Sequence, residues 1–255
     1  MASSADWLEG CLARSPSKTV YTFLADGGGE VAKLTYAELE SQTRALARSL
    51  LSPSTTRPAL RPGDRVLLVY LPSLDFIVAF IACLRAGLVA VPTYPPDPQR
   101  SKANFGAFAT IARDCGAQVA LTHRAYSQLS SLAALQDASK RIFGLFSRAS
   151  EESGASRSPA LQWPDWLAWV QTDGLTSGSS LALAAAAPPV ADDALAFLQY
   201  TSGSTAEPKG VMISRSNLRH NLETIVRSLA ASDGTVVVSW LPQYHDMGLI
   251  GEDDE

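Results

Sequence analysis

The sequence predicts an α/β fold built around a largely parallel sheet flanked by helices. Three observations carry this. Short apolar strands alternate with helical stretches. The strands are continuously apolar, as strands buried on both faces are. Glycine repeatedly stands where a helix hands over to the next strand.

In chain order, Thr19 to Leu24 alternates as a strand. Gly27 to Gly29 then turn it into a second strand over Val31 to Leu34. Thr35 with Glu38 three residues on is a capping-box pattern. The helix it opens puts Leu39, Leu46 and Leu50 on one face, and a Pro/Ser/Thr-rich loop at 52–62 ends it. Arg65 to Tyr70 reads as strand, and Pro72 and Ser73 open a helix over Leu74 to Ala86. Gly87 stops that helix, and Leu88 to Val91 is the next strand. A further unit follows, with helix over Ala103 to Cys115, Gly116 as its cap, and strand over Gln118 to Leu121.

Residues 147–191 break the rhythm with Ser, Gly, Ala and Pro, and read as a flexible insert. Within it Trp163, Trp166 and Trp169 recur every three residues. That spacing suits either an aromatic ligand platform or a short helix pinning the insert to the core; packing is the commoner use. Ala196 to Tyr200 and Val211 to Ile213 are strands, and Ser214 caps a helix over Asn217 to Leu229. Thr235 to Trp240 is expected as the last strand.

Composition excludes several classes. The chain has 255 residues, 46% of them apolar, and a net charge of −4 that the tail at 252–255 accounts for. The body is neutral, so no nucleic-acid or anionic-membrane surface is expected. The longest apolar run, Phe76 to Leu84, is nine residues, against about 20 for a membrane span. No secretory signal is evident. Cys11, Cys83 and Cys115 are odd in number and far apart, as reduced thiols are, and cytoplasm is the default location. His123, His220 and His245 have no metal-ligand spacing, and no metal site is expected. His123 reads as a loop residue and His220 as part of a solvated helix face.

The chemistry lies in the loop between the strands at 196–200 and 211–213. Thr201, Ser202, Gly203, Ser204 and Thr205 put four hydroxyls around one glycine. Such a loop offers O–H donors and freely oriented N–H groups to phosphate oxygens. Lys209, approached through the stiffening Pro208 and followed by Gly210, adds a point charge. It is no Walker loop, because the glycine follows the lysine and Val211 carries no hydroxyl. It is no Gly-x-Ser-x-Gly elbow either. Thr176 to Ser180 is a near echo that lacks the strand before it and the Pro-Lys-Gly after it, and reads as linker.

Tyr200 to Gly210, YTSGSTAEPKG, resembles the phosphate-binding signature of the adenylate-forming (AMP-binding) superfamily. Leu84 to Pro96 (LRAGLVAVPTYPP) and Ser239 to Gly251 (SWLPQYHDMGLIG) are similar to two further family segments, and together the three look most like fatty acyl-AMP ligases. The resemblance spans residues 15–251. It implies part of the family's N-terminal domain, a core over 15–251 with the insert at 147–191, and an acidic tail at 252–255. It implies ATP-dependent activation of a fatty or other carboxylic acid to an acyl-adenylate, usually with Mg²⁺. The acyl group then passes to a thiol, of coenzyme A or of a carrier protein's phosphopantetheine arm.

By the same resemblance, Thr201 to Thr205, Lys209 and Gly210 hold the phosphates, and Lys209 screens the departing pyrophosphate. His245, Asp246, Met247 and Gly248 border the acyl pocket, Met247 and Gly248 as wall, His245 and Asp246 orienting the carboxylate or a loop. The family's adenine, ribose and metal ligands fall beyond residue 255, as does the insertion that separates acyl-AMP ligases from CoA ligases. The chain is therefore expected to be an incomplete ligase, inactive in pyrophosphate exchange by itself. Its rivals are a fragment of a CoA ligase and a non-catalytic binding module.

Overall fold

A computed structural model describes residues 12–55, 57, 59–96, 102–128, 164, 166–173, 175, 190–201 and 208–250. Strands β1 (Thr19–Leu24) and β2 (Glu30–Thr35) pair antiparallel as a separate two-stranded sheet. Then come α1 (Tyr36–Leu51), β3 (Arg65–Leu68), α2 (Leu74–Ala86), β4 (Val89–Pro92), α3 (Lys102–Asp114) and β5 (Val119–Thr122). The described chain continues through β6 (Ala168–Gln171), β7 (Leu195–Thr201), β8 (Lys209–Ser214), α4 (Arg215–Ser228) and α5 (Asp246–Ile250).

The six strands β3 to β8 form one sheet in the order β6-β5-β3-β4-β7-β8. Every pairing is parallel except that of β7 with β8. Burial alternates with the period of two that a pleated strand imposes. Val66, Leu68, Ala90, Val119 and Leu121 face one side, packed with α1, α2 and Leu218 of α4. Leu67, Val69, Val89, Val91 and Ala120 face the other, packed with Phe108, Ala112 and Cys115 at α3. The result is helix, sheet, helix.

Local chemistry sets the helix ends. The Thr35 N–H donates to Glu38 Oε2 at 2.8 Å while Glu38 N–H donates to Thr35 Oγ1, so the predicted capping box forms. Ser214 and Asn217 repeat the device at α4. Gly87 ends α2 with φ of 71°, a left-handed conformation that favours glycine. The end of α1 uses a device the sequence did not advertise. Buried Arg57 donates from Nη1 to the Leu50 carbonyl at 2.9 Å and from Nη2 to that of Ser49. A second buried polar contact joins α1 to α2, where Glu40 accepts from both Arg44 and Arg85.

Two expectations are corrected. Thr235 to Trp240 is not a strand. A strand needs a hydrogen-bonded neighbour, no described strand lies beside this stretch, and Trp240 is 84% exposed. The tryptophan spacing does not mark a helix. Trp169 lies in β6, parallel to β5, and stacks on Phe108 with ring centroids 6.0 Å apart. Trp169 packs on the core, as the packing alternative expects, but from a fifth parallel strand; Trp163 lies outside the described residues.

The sheet is doubly wound. The chain moves from β3 through α2 to β4 on one side of β3, then through α3, on the opposite face, to β5 on the other side. Ligands of such folds bind beyond the carboxyl ends of the strands where the winding reverses, here between β3 and β5.

Candidate functional site

The carboxyl ends of β3, β4 and β7 are met by the segment that precedes α5. Beyond β3, the Ser73 N–H donates to Gln243 Oε1 at 3.0 Å. Beyond β4, the Tyr94 ring meets Tyr244 edge-on, with centroids 5.3 Å apart. At the end of β7, Gln199 Nε2 donates to the Tyr244 carbonyl at 3.2 Å. Three strand ends thus hold two adjacent residues of one turn.

From that turn the chain enters α5. His245 N–H donates to the Pro242 carbonyl at 3.0 Å, and the His245 carbonyl accepts from Leu249 N–H at 2.9 Å. His245 and Met247 are exposed, and Asp246 begins the helix. Gly248 packs on the backbone of its own turn. A Cβ there would lie 2.8 Å from the Pro242 carbonyl carbon and 3.0 Å from that of Leu241, closer than real contacts allow. Residues 245–248 are therefore grouped at the carboxyl edge by a backbone contact that only glycine permits.

The second predicted group lies on the hairpin of β7 and β8. Thr201 pairs with Lys209 and Tyr200 with Gly210. Thr201 and Lys209 are exposed at the head of the stem. Ser202, Gly203, Ser204 and Thr205 lie outside the described residues. The expectation that this loop joins two strands is met. Gly210 again has no room for a side chain, since a Cβ would come within 2.9 Å of Tyr200 Cζ. The Tyr200 hydroxyl donates to Asp114 at the end of α3. Burial, followed by the bond to Asp114, raises the Tyr200 pKa, so the phenol keeps its proton.

A third polar group went unread in the sequence. Tyr70, His123, Thr172 and Asp173 follow β3, β5 and β6 directly, and Asp75 lies in the first turn of α2. Tyr70 and Thr172 share a hydroxyl hydrogen bond of 2.9 Å, and the His123 ring lies 5.7 Å from that of Tyr70. The Arg124 N–H donates to Asp173 at 3.2 Å. Burial lowers the His123 pKa, against the pull of Asp75 and Asp173. Burial raises that of Asp75. His123 is a loop residue as expected, but half-buried, with Nδ1 lacking a hydrogen-bond partner among the described residues. His220 is exposed on α4, as expected. A polar residue just after each of three parallel strands was the signal available.

Of the residues expected to bind phosphate, Thr201, Lys209 and Gly210 are described, the first two exposed and paired across the strands. For Mg²⁺ the described residues build no site, since among them no three His, Cys, Asp or Glu side chains cluster. No helix among the described residues is long and apolar enough to cross a membrane.

Doubly wound sheets with a ligand edge serve many chemistries, but the comparisons with known proteins single out one class. A family model of AMP-binding enzymes matches residues 8–252, and the chain belongs to that family. It is 32% identical over 234 residues to the medium-chain-fatty-acid–[acyl-carrier-protein] ligase JamA of Moorena producens, a match covering 92% of this chain and 34% of that protein. Its fold superposes on the crystal structure of the fatty acid AMP ligase from Legionella pneumophila with a TM-score of 0.71 at 31% identity, covering 97% of this chain and 36% of that one. The fatty acyl-adenylate ligase from L. pneumophila, in complex with acyl adenylate and pyrophosphate, matches with a TM-score of 0.70 at 29% identity, over 97% of this chain and 36% of that one. The chain spans about a third of the length of the relatives it matches, and its fold is that of the N-terminal domain of adenylate-forming enzymes.

Proposed function

We propose that the chain supplies the phosphate-binding and acid-facing part of a ligase that activates a fatty acid with ATP. The carboxylate oxygen attacks the α-phosphorus, the bond from that phosphorus to the bridging oxygen of the β-phosphate breaks, and pyrophosphate leaves with the electron pair. Lys209 neutralises charge on the β- and γ-phosphates as it builds up on the leaving group. Thr201, with Ser202, Gly203, Ser204 and Thr205, donates hydrogen bonds to the same oxygens, and Gly210 lets the Tyr200 ring close against the strand that carries Lys209. His245 and Asp246 orient the carboxylate, and Met247 and Gly248 form the wall beside it. These groups position and screen without taking up a proton.

The observation that carries this reading is the pairing of Lys209 with Thr201 on the hairpin whose Gln199 holds the His245 turn. It supports the reading because the end of β7 both carries Thr201 opposite Lys209 and, through Gln199, holds the turn before His245. The resemblance to JamA favours a carrier-protein thiol as acceptor, with coenzyme A as the alternative. ATP chemistry of this kind suits the cytoplasm. Mg²⁺, usual in the family, would ride on the phosphates.

The test has two parts. Equilibrium dialysis of the chain with ATP should show saturable binding that Lys209→Ala weakens about tenfold. Fatty-acid-dependent exchange of labelled pyrophosphate into ATP should appear when the chain is fused to the remaining two-thirds of the L. pneumophila ligase, and vanish without fatty acid. The acceptor follows from adding holo-carrier protein or coenzyme A to the fused enzyme. Lack of ATP binding by the chain would overturn the proposal.

A further inference from the structure

We propose that Tyr200 and Asp114 form a positioning latch that fixes the stem of the β7–β8 hairpin on α3 and so sets where Lys209 stands. The inference rests on the reading that Lys209 meets the phosphates of ATP. It concerns two residues outside the groups proposed to bind phosphate and acid.

Three observations meet at this point. Tyr200 stands one residue before Thr201, and its cross-strand partner Gly210 stands one residue after Lys209. The Tyr200 ring lies against Gly210 so closely that a Cβ would come to 2.9 Å from Cζ and 3.1 Å from the hydroxyl oxygen. The two strands are therefore in contact through a ring on one and bare backbone on the other. The hydroxyl then reaches out of the hairpin to Asp114, the last residue of α3.

Asp114 is itself on a fixed support. The carbonyl of its neighbour Cys115 accepts from Arg65 Nε at 2.7 Å, which ties the end of α3 to the first residue of β3. Ala117 N–H donates back to the Ala112 carbonyl at 3.2 Å and closes the helix end. The latch thus links the exposed head of an edge hairpin to the middle of the sheet. Among the described strands β8 pairs with β7 alone, and an edge strand with one neighbour is free to twist. A cation that must meet a multiply charged anion loses effect when its place varies by about an ångström. The phenol suits the task because it stays protonated and can always donate.

The test uses the intact chain and reads ATP affinity beside thermal stability. Tyr200→Phe keeps the ring over Gly210 and removes only the hydroxyl. It should weaken ATP binding about three- to tenfold. Asp114→Ala should do the same, and the double variant should be no weaker than either single one. Asp114→Asn keeps an acceptor oxygen and should recover most of the loss. Lys209→Ala in the same series reports on the underlying reading. If Lys209→Ala weakens binding while Tyr200→Phe and Asp114→Ala leave it within twofold of wild type, the latch is overturned and the phosphate reading stands. If the Tyr200 and Asp114 losses simply multiply, or Asn fails to recover affinity at position 114, the latch is likewise overturned. If the wild-type chain does not bind ATP, or Lys209→Ala changes nothing, the reading beneath it falls, and the latch with it.

Discussion

Gln199 Nε2 donates to the carbonyl of Tyr244 at 3.2 Å across 45 residues of chain. Gln199 is 8% exposed, and its Oε1 is buried without a hydrogen-bond partner among the described residues. One strand end thereby controls two segments. Gln199 holds the turn that carries His245, and the next residue but one, Thr201, begins the loop proposed to bind phosphate. Because successive side chains of a strand point to opposite faces, Gln199 reaches Tyr244 on one side while Tyr200 reaches Asp114 on the other.

Gln199→Leu removes a useful donor and a stranded acceptor together. The two effects oppose each other, so stability should change by no more than about 1 kcal/mol. The turn at 243–245 should loosen nonetheless. Hydrogen exchange at the Leu249 amide should quicken several-fold while amides of β3 and β5 keep their protection. Unchanged exchange at Leu249 would show that Ser73 and Tyr94 hold the turn unaided.

Gly248→Ala should be far more costly than its size suggests. The new methyl would meet the carbonyl of Pro242, and backbone cannot swing aside as a side chain can. Overpacking of this kind costs about 1–3 kcal/mol. Urea unfolding should show the loss, or, where the turn gives way instead, chemical shifts from 241 to 250 should move while global stability holds. Neither change would mean that the turn is looser than described.

Arg57→Ala should destabilise the chain by about 1–3 kcal/mol, since it strips partners from buried carbonyls at the end of α1. Arg57→Lys should not repair it, because a single ammonium cannot fork to both Leu50 and Ser49. Denaturant midpoints of the two variants should therefore be similar.

The His123 group predicts a direction for pH. Burial places the folded-state pKa of His123 below its ordinary value of 6.5. As pH falls through about 6.5, the unfolded chain takes up a proton that the folded chain refuses, and stability drops until the folded pKa is reached. Asp75 and Asp173, which face the imidazole, soften this drop by favouring the charged ring. His123→Gln should flatten stability between pH 6.5 and the folded-state pKa. A wild-type midpoint that does not change over that interval would refute the assignment.

Much of this fold was legible because local chemistry and burial agree. Val66 to Leu68 and Val119 to Leu121 are apolar at every position, and both strands are buried on two faces. Thr35 and Glu38 predicted a cap and made one. Val236 to Val238 misled because β-branched residues specify extended backbone but not a neighbour to pair with. Trp169 misled because the spacing of three tryptophans is helical while the apolar run Leu167 to Val170 around it is that of a buried strand. At the site, residues 245–248 were grouped by motif. Their support from Ser73, Tyr94 and Gln199 arises from strand order, which no local pattern encodes. Arg57 was invisible for the same reason, since a cap from seven residues away depends on how the loop folds back.

The exposed stripe of β8 and α4 has a practical consequence for anyone handling the chain. Val211 and Met212 lie open on the strand at the sheet's rim, and Leu222, Val226 and Leu229 line the helix that follows. Open oily surface beside an unpaired rim is what turns a clear solution cloudy. Concentrated samples should brighten a fluorescent naphthalene dye and scatter light increasingly with added ammonium sulfate, and replacing Met212 with lysine should keep them clear.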